Sequence, residues 1–325
     1  MAVLPGASPQ LGARLAQGLQ AVEARLRVEV DHTDPFIAGA SAHLLSSGKR
    51  FRPILTLLAA ELGEGFGPDV ETAATAVELT HLASLYHDDV MDEAEMRRSV
   101  VSANATYGNS TAILIGDLLF GTASRLLADL GAEAVRIQAE TFVRLCSGQI
   151  RDDHDCPEGV DPEQYYLGVL ADKTGVLIAT AARYGAMFSG CDEQTCSVVE
   201  AYGEQLGVAF QLADDILDIS SDASGKAPGT DLREGVDTLP VIYVKASTDA
   251  ADAELQRLLA QDLREDDDAH ARALALLRAH PALDRARDYT RRVSQEAQDL
   301  LAPLGDGDAV QALRALAASV VDRDL

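Results

Sequence analysis

The sequence has no tryptophan, 5% aromatic residues and four cysteines in 325 positions. So few thiols exclude a disulfide framework. Cys146, Cys156, Cys191 and Cys196 also lack the paired short spacing of a zinc site, which leaves them as reduced structural thiols. Basic residues are scarce as well: 27 Lys and Arg face 52 Asp and Glu, for a net charge of −25. Phosphate backbones repel such a chain, so nucleic acid is excluded as a partner, and any phosphate it binds must meet a small, shaped pocket. Long apolar runs are missing too. The best, 176–182, falls far short of the roughly 18 residues needed to span a bilayer, so no transmembrane segment is predicted. The N-terminal stretch has no basic region followed by a continuous apolar segment; without a secretory signal, the cytoplasm is the expected location.

Apolar residues make up 47% of the chain, ample for a buried core, and disorder is excluded. Ala, Leu and Glu at helical spacing dominate, and alternating β-branched runs are almost absent. The fold class is therefore all-α, a bundle of about ten or more helices. Breaks are expected at 34–35, 63–68, 99–108, 155–162, 190–192, 221–237 and 305–308. Two segments, 69–92 and 192–220, are longer than ordinary helices and apolar around much of their circumference, which predicts central, buried helices. No composition shift divides the chain, so one domain is predicted over 1–325, with core motifs in 40–245 and a helical tail over 249–325.

One short pattern occurs twice. Asp88, Asp89 and Asp92 stand in HDDVMD, and Asp214, Asp215 and Asp218 stand in ADDILD. On a helix, residues i and i+4 are neighbours, so Asp88 with Asp92, and Asp214 with Asp218, each project two carboxylates the same way. Like charges in an apolar setting need a counter-charge, and paired hard oxygens suit Mg2+, which keeps waters and bridges carboxylates to substrate phosphates. In a chain this acidic one match would carry little; two, each inside an apolar helix, carry a good deal. By contrast the Asp266, Asp267, Asp268 run lies among charged residues and reads as a solvated face. Basic residues complete the pattern. Lys49 and Arg52 lie in GKRFRP, Arg97 and Arg98 follow the first cluster, Lys173 opens KTG, and Lys226 follows the second cluster. Guanidinium forks and ammonium groups hold diphosphate oxygens.

With these motifs the sequence resembles the trans-polyprenyl diphosphate synthase family. The stretches that carry the resemblance are GKRFRP, ELTHLASLYHDDVMDEAEMRR, GDLLF, KTG and QLADDILD with GKAPGTDLREG, spanning about 40–245. The resemblance implies an isoprenoid-synthase bundle around a central apolar cavity. It also implies about three Mg2+ ions on the allylic diphosphate, held by Asp88, Asp92 and Asp214 with Asp89, Asp215 and Asp218 in support. Lys49, Arg52, His81 and Arg98 match positions that hold the diphosphate of isopentenyl diphosphate. Arg97, Lys173, Thr174, Gln211 and Lys226 match those facing the allylic diphosphate. Two departures stand out: Ser99-Val100-Val101 replaces the family's Gly-x-Pro, and Val236 stands where a lysine is common.

The implied reaction is prenyl transfer: the allylic carbon ionises, the double bond of isopentenyl diphosphate attacks, and a proton is lost, lengthening the chain by one unit. Metal and cationic side chains would stabilise the departing diphosphate, so no nucleophilic residue is required. Small residues before the first cluster, Ser84 and Ala83, then Thr80 and Ala76, are expected to wall an apolar tunnel. Their size predicts a product longer than farnesyl, such as a quinone side-chain precursor, with a geranylgeranyl or farnesyl product as the alternative. A class I terpene cyclase is disfavoured by Asp218 and Asp222, and a non-catalytic partner subunit by the intact acidic and basic sets. The resemblance also implies a homodimer joined through mid-chain helices.

Overall fold

The computed structural model describes residues 5–45, 48–97, 100–220 and 228–321. Among these the chain forms sixteen α-helices: α1 (Pro9–Glu29), α2 (Pro35–Ala42), α3 (Phe51–Ala60), α4 (Pro68–Met91), α5 (Ala103–Tyr107), α6 (Asn109–Asp129), α7 (Ala132–Asp152) and α8 (Pro162–Leu170), followed by α9 (Val176–Phe188), α10 (Glu193–Ser220), α11 (Thr230–Glu234), α12 (Leu239–Lys245), α13 (Ala253–Leu259), α14 (Asp267–Arg278), α15 (Pro281–Leu300) and α16 (Asp308–Val321). A π-helical turn, Ala171–Gly175, joins α8 to α9. The only strands among the described residues are β1 (Met96–Arg97) and β2 (Val100–Val101), which pair antiparallel with Arg97 opposite Val100. The all-α class read from the sequence holds, and the departure at Val100-Val101 is the returning strand of this small hairpin.

Contacts gather into two compact units. The first comprises 1–143, 177–203 and 301–313, and the second 144–176, 204–300 and 314–325.

In the first unit α4 is the central element. It opens with Pro68 after Gly67 and carries Asp69 and Glu71 in its first turn, where negative charge complements the helix dipole. Its buried residues, from Val70 to Asp89, lie all round the helix, so it must be enclosed by neighbours. Those neighbours are α1, α3 and α6. Gly116 on α6 permits the closest approach: a β-carbon there would stand 2.3 Å from His87 Nε2 and 3.2 Å from the Ala83 carbonyl oxygen. Tyr86, fully buried, donates its hydroxyl to the Ala40 carbonyl at 2.5 Å and so ties α4 to α2.

By length and composition α6 is apolar enough to cross a membrane, although the sequence showed no continuous run. Gly116, Asp117, Gly121 and Arg125 interrupt its apolar residues, which hides the average. In the fold its Ala112, Ile115, Gly116, Leu119, Ala123, Leu126 and Leu127 are buried, and that side packs along α4.

In the second unit α12 is buried from Leu239 to Val244 and packs against α15 and α8. The Arg285 guanidinium stacks 3.6 Å from the centre of the Tyr243 ring, fastening α15 to α12. Helix α14 is tied to α11, where His270 Nε2 lies 2.8 Å from the Gly229 carbonyl oxygen.

Candidate functional site

The first aspartate cluster closes α4. Successive helical residues turn by about 100°, so Asp88 and Asp92 share a side and Asp89 faces elsewhere. The structure shows what that rotation does. Asp88 is half-buried and Asp92 exposed, whereas Asp89 has no exposed surface. Asp89 accepts from Arg97 Nε at 2.5 Å and from the Ala103 amide at 3.3 Å. It therefore pins both the hairpin and the start of α5 to α4. Arg97 also reaches Asp92 through Nη2 at 3.3 Å. Burial works against the Arg97 charge, but Asp89, Asp92 and Asp88 outweigh it and raise the guanidinium above its ordinary pKa. The turn into the hairpin passes through Glu93, whose φ of 48° is uncommon for a side chain other than glycine.

His81 lies two turns before Asp88, and Ser84 one turn before; both are half-buried on the Asp88 side. Ala83, Thr80 and Ala76 are buried in the packing of α4, Ala83 where α6 approaches. In GKRFRP, Lys49 is exposed and Arg52 half-buried at the start of α3. Arg98 and Lys226, both expected to contact diphosphate, lie outside the described residues.

The second cluster, in the other compact unit, repeats the division. On α10 Asp214 is half-buried, while Asp215 is buried and accepts from the Tyr166 hydroxyl and from Gln211 Nε2 at 2.9 Å. Burial pushes the Asp215 carboxyl up to about 6, although both hydrogen bonds work against the rise. Gln211 in turn accepts from Thr174 Oγ1 at 3.3 Å, so the amide is oriented at both ends. Asp218 accepts from the amides of Thr230 and Asp231 at 3.2 and 3.1 Å, and thus fixes the start of α11.

Lys173 and Thr174 sit in the π-helical turn, a widened turn that often marks a functional position. The turn is pressed against α7: a β-carbon on Gly148 would lie 2.5 Å from the Lys173 nitrogen and 2.8 Å from the Asp172 carbonyl carbon. Asp172 is held by Arg144 at 2.9 Å and Arg151 at 3.0 Å, and Lys173 Nζ pairs with Asp152 at 2.5 Å. Reading the sequence for motifs missed Tyr166, Asp152 and Gly148, because their roles follow from tertiary contacts and not from spacing.

No three His, Cys, Asp or Glu side chains converge as a metal cage among the described residues. Asp88 and Asp92 offer one carboxylate each, one turn apart on the open side of α4, and Asp214 offers another on α10. Carboxylate oxygens are hard donors, of the kind divalent cations such as Mg2+ take beside water.

The Polyprenyl synthetase family model matches residues 34–277. Nonaprenyl diphosphate synthase of Mycobacterium tuberculosis is 46% identical over 318 residues, covering 96% of this chain and 94% of that protein. The structure of geranylgeranyl pyrophosphate synthase from Corynebacterium glutamicum, complexed with calcium and isoprenyl diphosphate, superposes with a TM-score of 0.88 at 42% identity over 97% of this chain and 98% of that one. A decaprenyl diphosphate synthase structure from Rhodobacter capsulatus gives the same TM-score at 34% identity, over 97% and 98% of the two chains.

Proposed function

Because the chain belongs to the polyprenyl synthetase family, we propose that it is a magnesium-dependent prenyltransferase, condensing isopentenyl diphosphate with an allylic diphosphate to give a trans-polyprenyl diphosphate. The observation that carries this reading is the division within both motifs. The second aspartate of each, Asp89 and Asp215, is turned inward and held by Arg97 or Tyr166, while Asp88, Asp92 and Asp214 keep open surface.

In this reading Asp88, Asp92 and Asp214 hold Mg2+, about three ions when diphosphate is bound. The metal, when bound, supplies Lewis-acid stabilisation of the departing diphosphate. Asp89, Asp215 and Asp218 act as supports, as their hydrogen bonds favour. Lys49, Arg52, His81 and Arg98 hold isopentenyl diphosphate. Arg97, Lys173, Thr174, Gln211 and Lys226 face the allylic diphosphate, where fixed positive charge meets negative charge as it develops. No side chain is needed as a nucleophile.

Ser84, on the Asp88 side of α4, is small and half-buried, which supports a long-chain product well beyond farnesyl, such as a quinone side-chain precursor. The nonaprenyl and decaprenyl relatives favour the same length. A shorter geranylgeranyl or farnesyl product is the second reading, favoured by the burial of Ala83, Thr80 and Ala76 within the packing of α4 and, for geranylgeranyl, by the Corynebacterium relative. We place the enzyme in the cytoplasm as a homodimer. Ile113, Leu114 and Leu118 on α6, with Val135, Phe142 and Val143 on α7, are exposed apolar residues that a second copy would cover.

The test is incubation of purified protein with Mg2+, labelled isopentenyl diphosphate and, separately, dimethylallyl, geranyl, farnesyl and geranylgeranyl diphosphates, followed by sizing of the products. Label in chains longer than geranylgeranyl supports the whole reading. Label stopping at geranylgeranyl keeps the chemistry and selects the second length. No elongation with any starter would overturn it.

A further inference from the structure

Arg50, between Lys49 and Arg52, adopts left-handed backbone angles (φ 52°, ψ 38°) just before α3 begins. Such a conformation is strained for any residue with a β-carbon and persists only when its surroundings hold it. Those surroundings are specific. The side chain is 8% exposed; Nη1 donates to Glu78 Oε1 at 3.0 Å, and Nη2 donates to the Leu45 carbonyl. Glu78 is itself 2% exposed on α4.

A buried ion pair is a poor means of stabilising a fold, because taking both charges out of water offsets most of their attraction. Strain and desolvation thus coincide at one residue. Its place in the chain supplies a reason. Arg50 is flanked by two residues assigned to the diphosphate of isopentenyl diphosphate, and Glu78 precedes the third, His81, by three residues on α4. The pair fastens the two segments that carry all three. Arginine suits the task because its planar fork reaches two acceptors in fixed directions, as an ammonium group does not.

We infer that Arg50 and Glu78 form a positioning clamp that sets Lys49, Arg52 and His81 in one constellation for the diphosphate of isopentenyl diphosphate. This rests on the function proposed above. Neither residue touches the substrate; the clamp acts through its neighbours.

The experiment compares the full-length wild type with Arg50→Lys and with the paired apolar replacement Arg50→Met/Glu78→Leu. It measures the melting temperature, the KM of each substrate, and binding of isopentenyl diphosphate alone by equilibrium dialysis. Arg50→Lys should weaken isopentenyl diphosphate by about tenfold, in KM and in dialysis, with the allylic KM within about twofold. The apolar pair, free of buried charge, should melt near the wild type and yet show the same selective loss. That result separates positioning from mere support of the fold. Folded variants whose binding of isopentenyl diphosphate matches the wild type, or whose two KM values rise together, would overturn the clamp alone. A wild type that neither binds nor elongates isopentenyl diphosphate would instead overturn the functional reading beneath it.

Discussion

A carboxylate with no exposed surface, as at Asp89, needs charge and hydrogen bonds in place of water, and Arg97 with the Ala103 amide supplies them. Its neighbour Asp88 keeps contact with solvent, so adjacent aspartates should fail differently. Asp88→Ala should lower kcat about a thousandfold or more, as loss of a metal ligand does, with an unchanged melting curve. Retained turnover in Mg2+ would remove Asp88 from the metal site. Asp89→Ala should instead destabilise the protein by about 2–3 kcal/mol, because it leaves Arg97 without its buried partner. Thermal denaturation separates the two: an unshifted midpoint in Asp89→Ala would mean that the hairpin does not depend on this anchor.

At the scale of elements, the long helices were legible because apolar residues surround them. The expected 69–92 and 192–220 correspond to α4 (Pro68–Met91) and α10 (Glu193–Ser220). The paired strands at 96–97 and 100–101 and the π-helical turn were not, since two-residue strands carry no periodicity and a π turn is set by what presses on it. The same limit applies to the motifs. Their spacing revealed which aspartates share a helix face, but not that Tyr166 and Arg97 would hold the others. Gly148 shows how close that pressing is. Gly148→Ala must move α7 or the turn, because the added carbon meets backbone and not a flexible side-chain tip. Overpacking of this kind costs about 1–3 kcal/mol. It should also raise the KM for the allylic diphosphate several-fold through Lys173 and Thr174, which steady-state kinetics would detect; an unaltered KM would detach the turn from that substrate. On α4, Ser84→Phe should shorten the product with little change in stability. Ala83→Phe, where α6 packs, should shorten it and lower the melting temperature together. Product sizing on both variants tests whether this stretch of helix sets chain length, and two unaltered product distributions would place the limit elsewhere.

At the scale of the whole molecule, two consequences follow from charge and exposed apolar surface. A net charge of −25 disfavours the association of copies over distance, within the roughly 10 Å reach of unscreened charge at 0.1 M salt. Close association must therefore come from a surface that supplies apolar contact and little charge. Leu114, 66% exposed on α6, and Val143, 65% exposed on α7, supply apolar surface for such contact. In an isologous pair each substitution acts twice, because the same patch lies on both sides. Leu114→Lys should therefore place two like charges in the contact and shift sedimentation from the mass of two 34.5 kDa chains to that of one, with helical content unchanged. Raising the salt concentration should strengthen the proposed dimer by screening the repulsion between copies, and should only partly rescue the variant, whose defect is desolvation of the new charges. A variant that sediments as the wild type at every salt concentration would move the contact to another face.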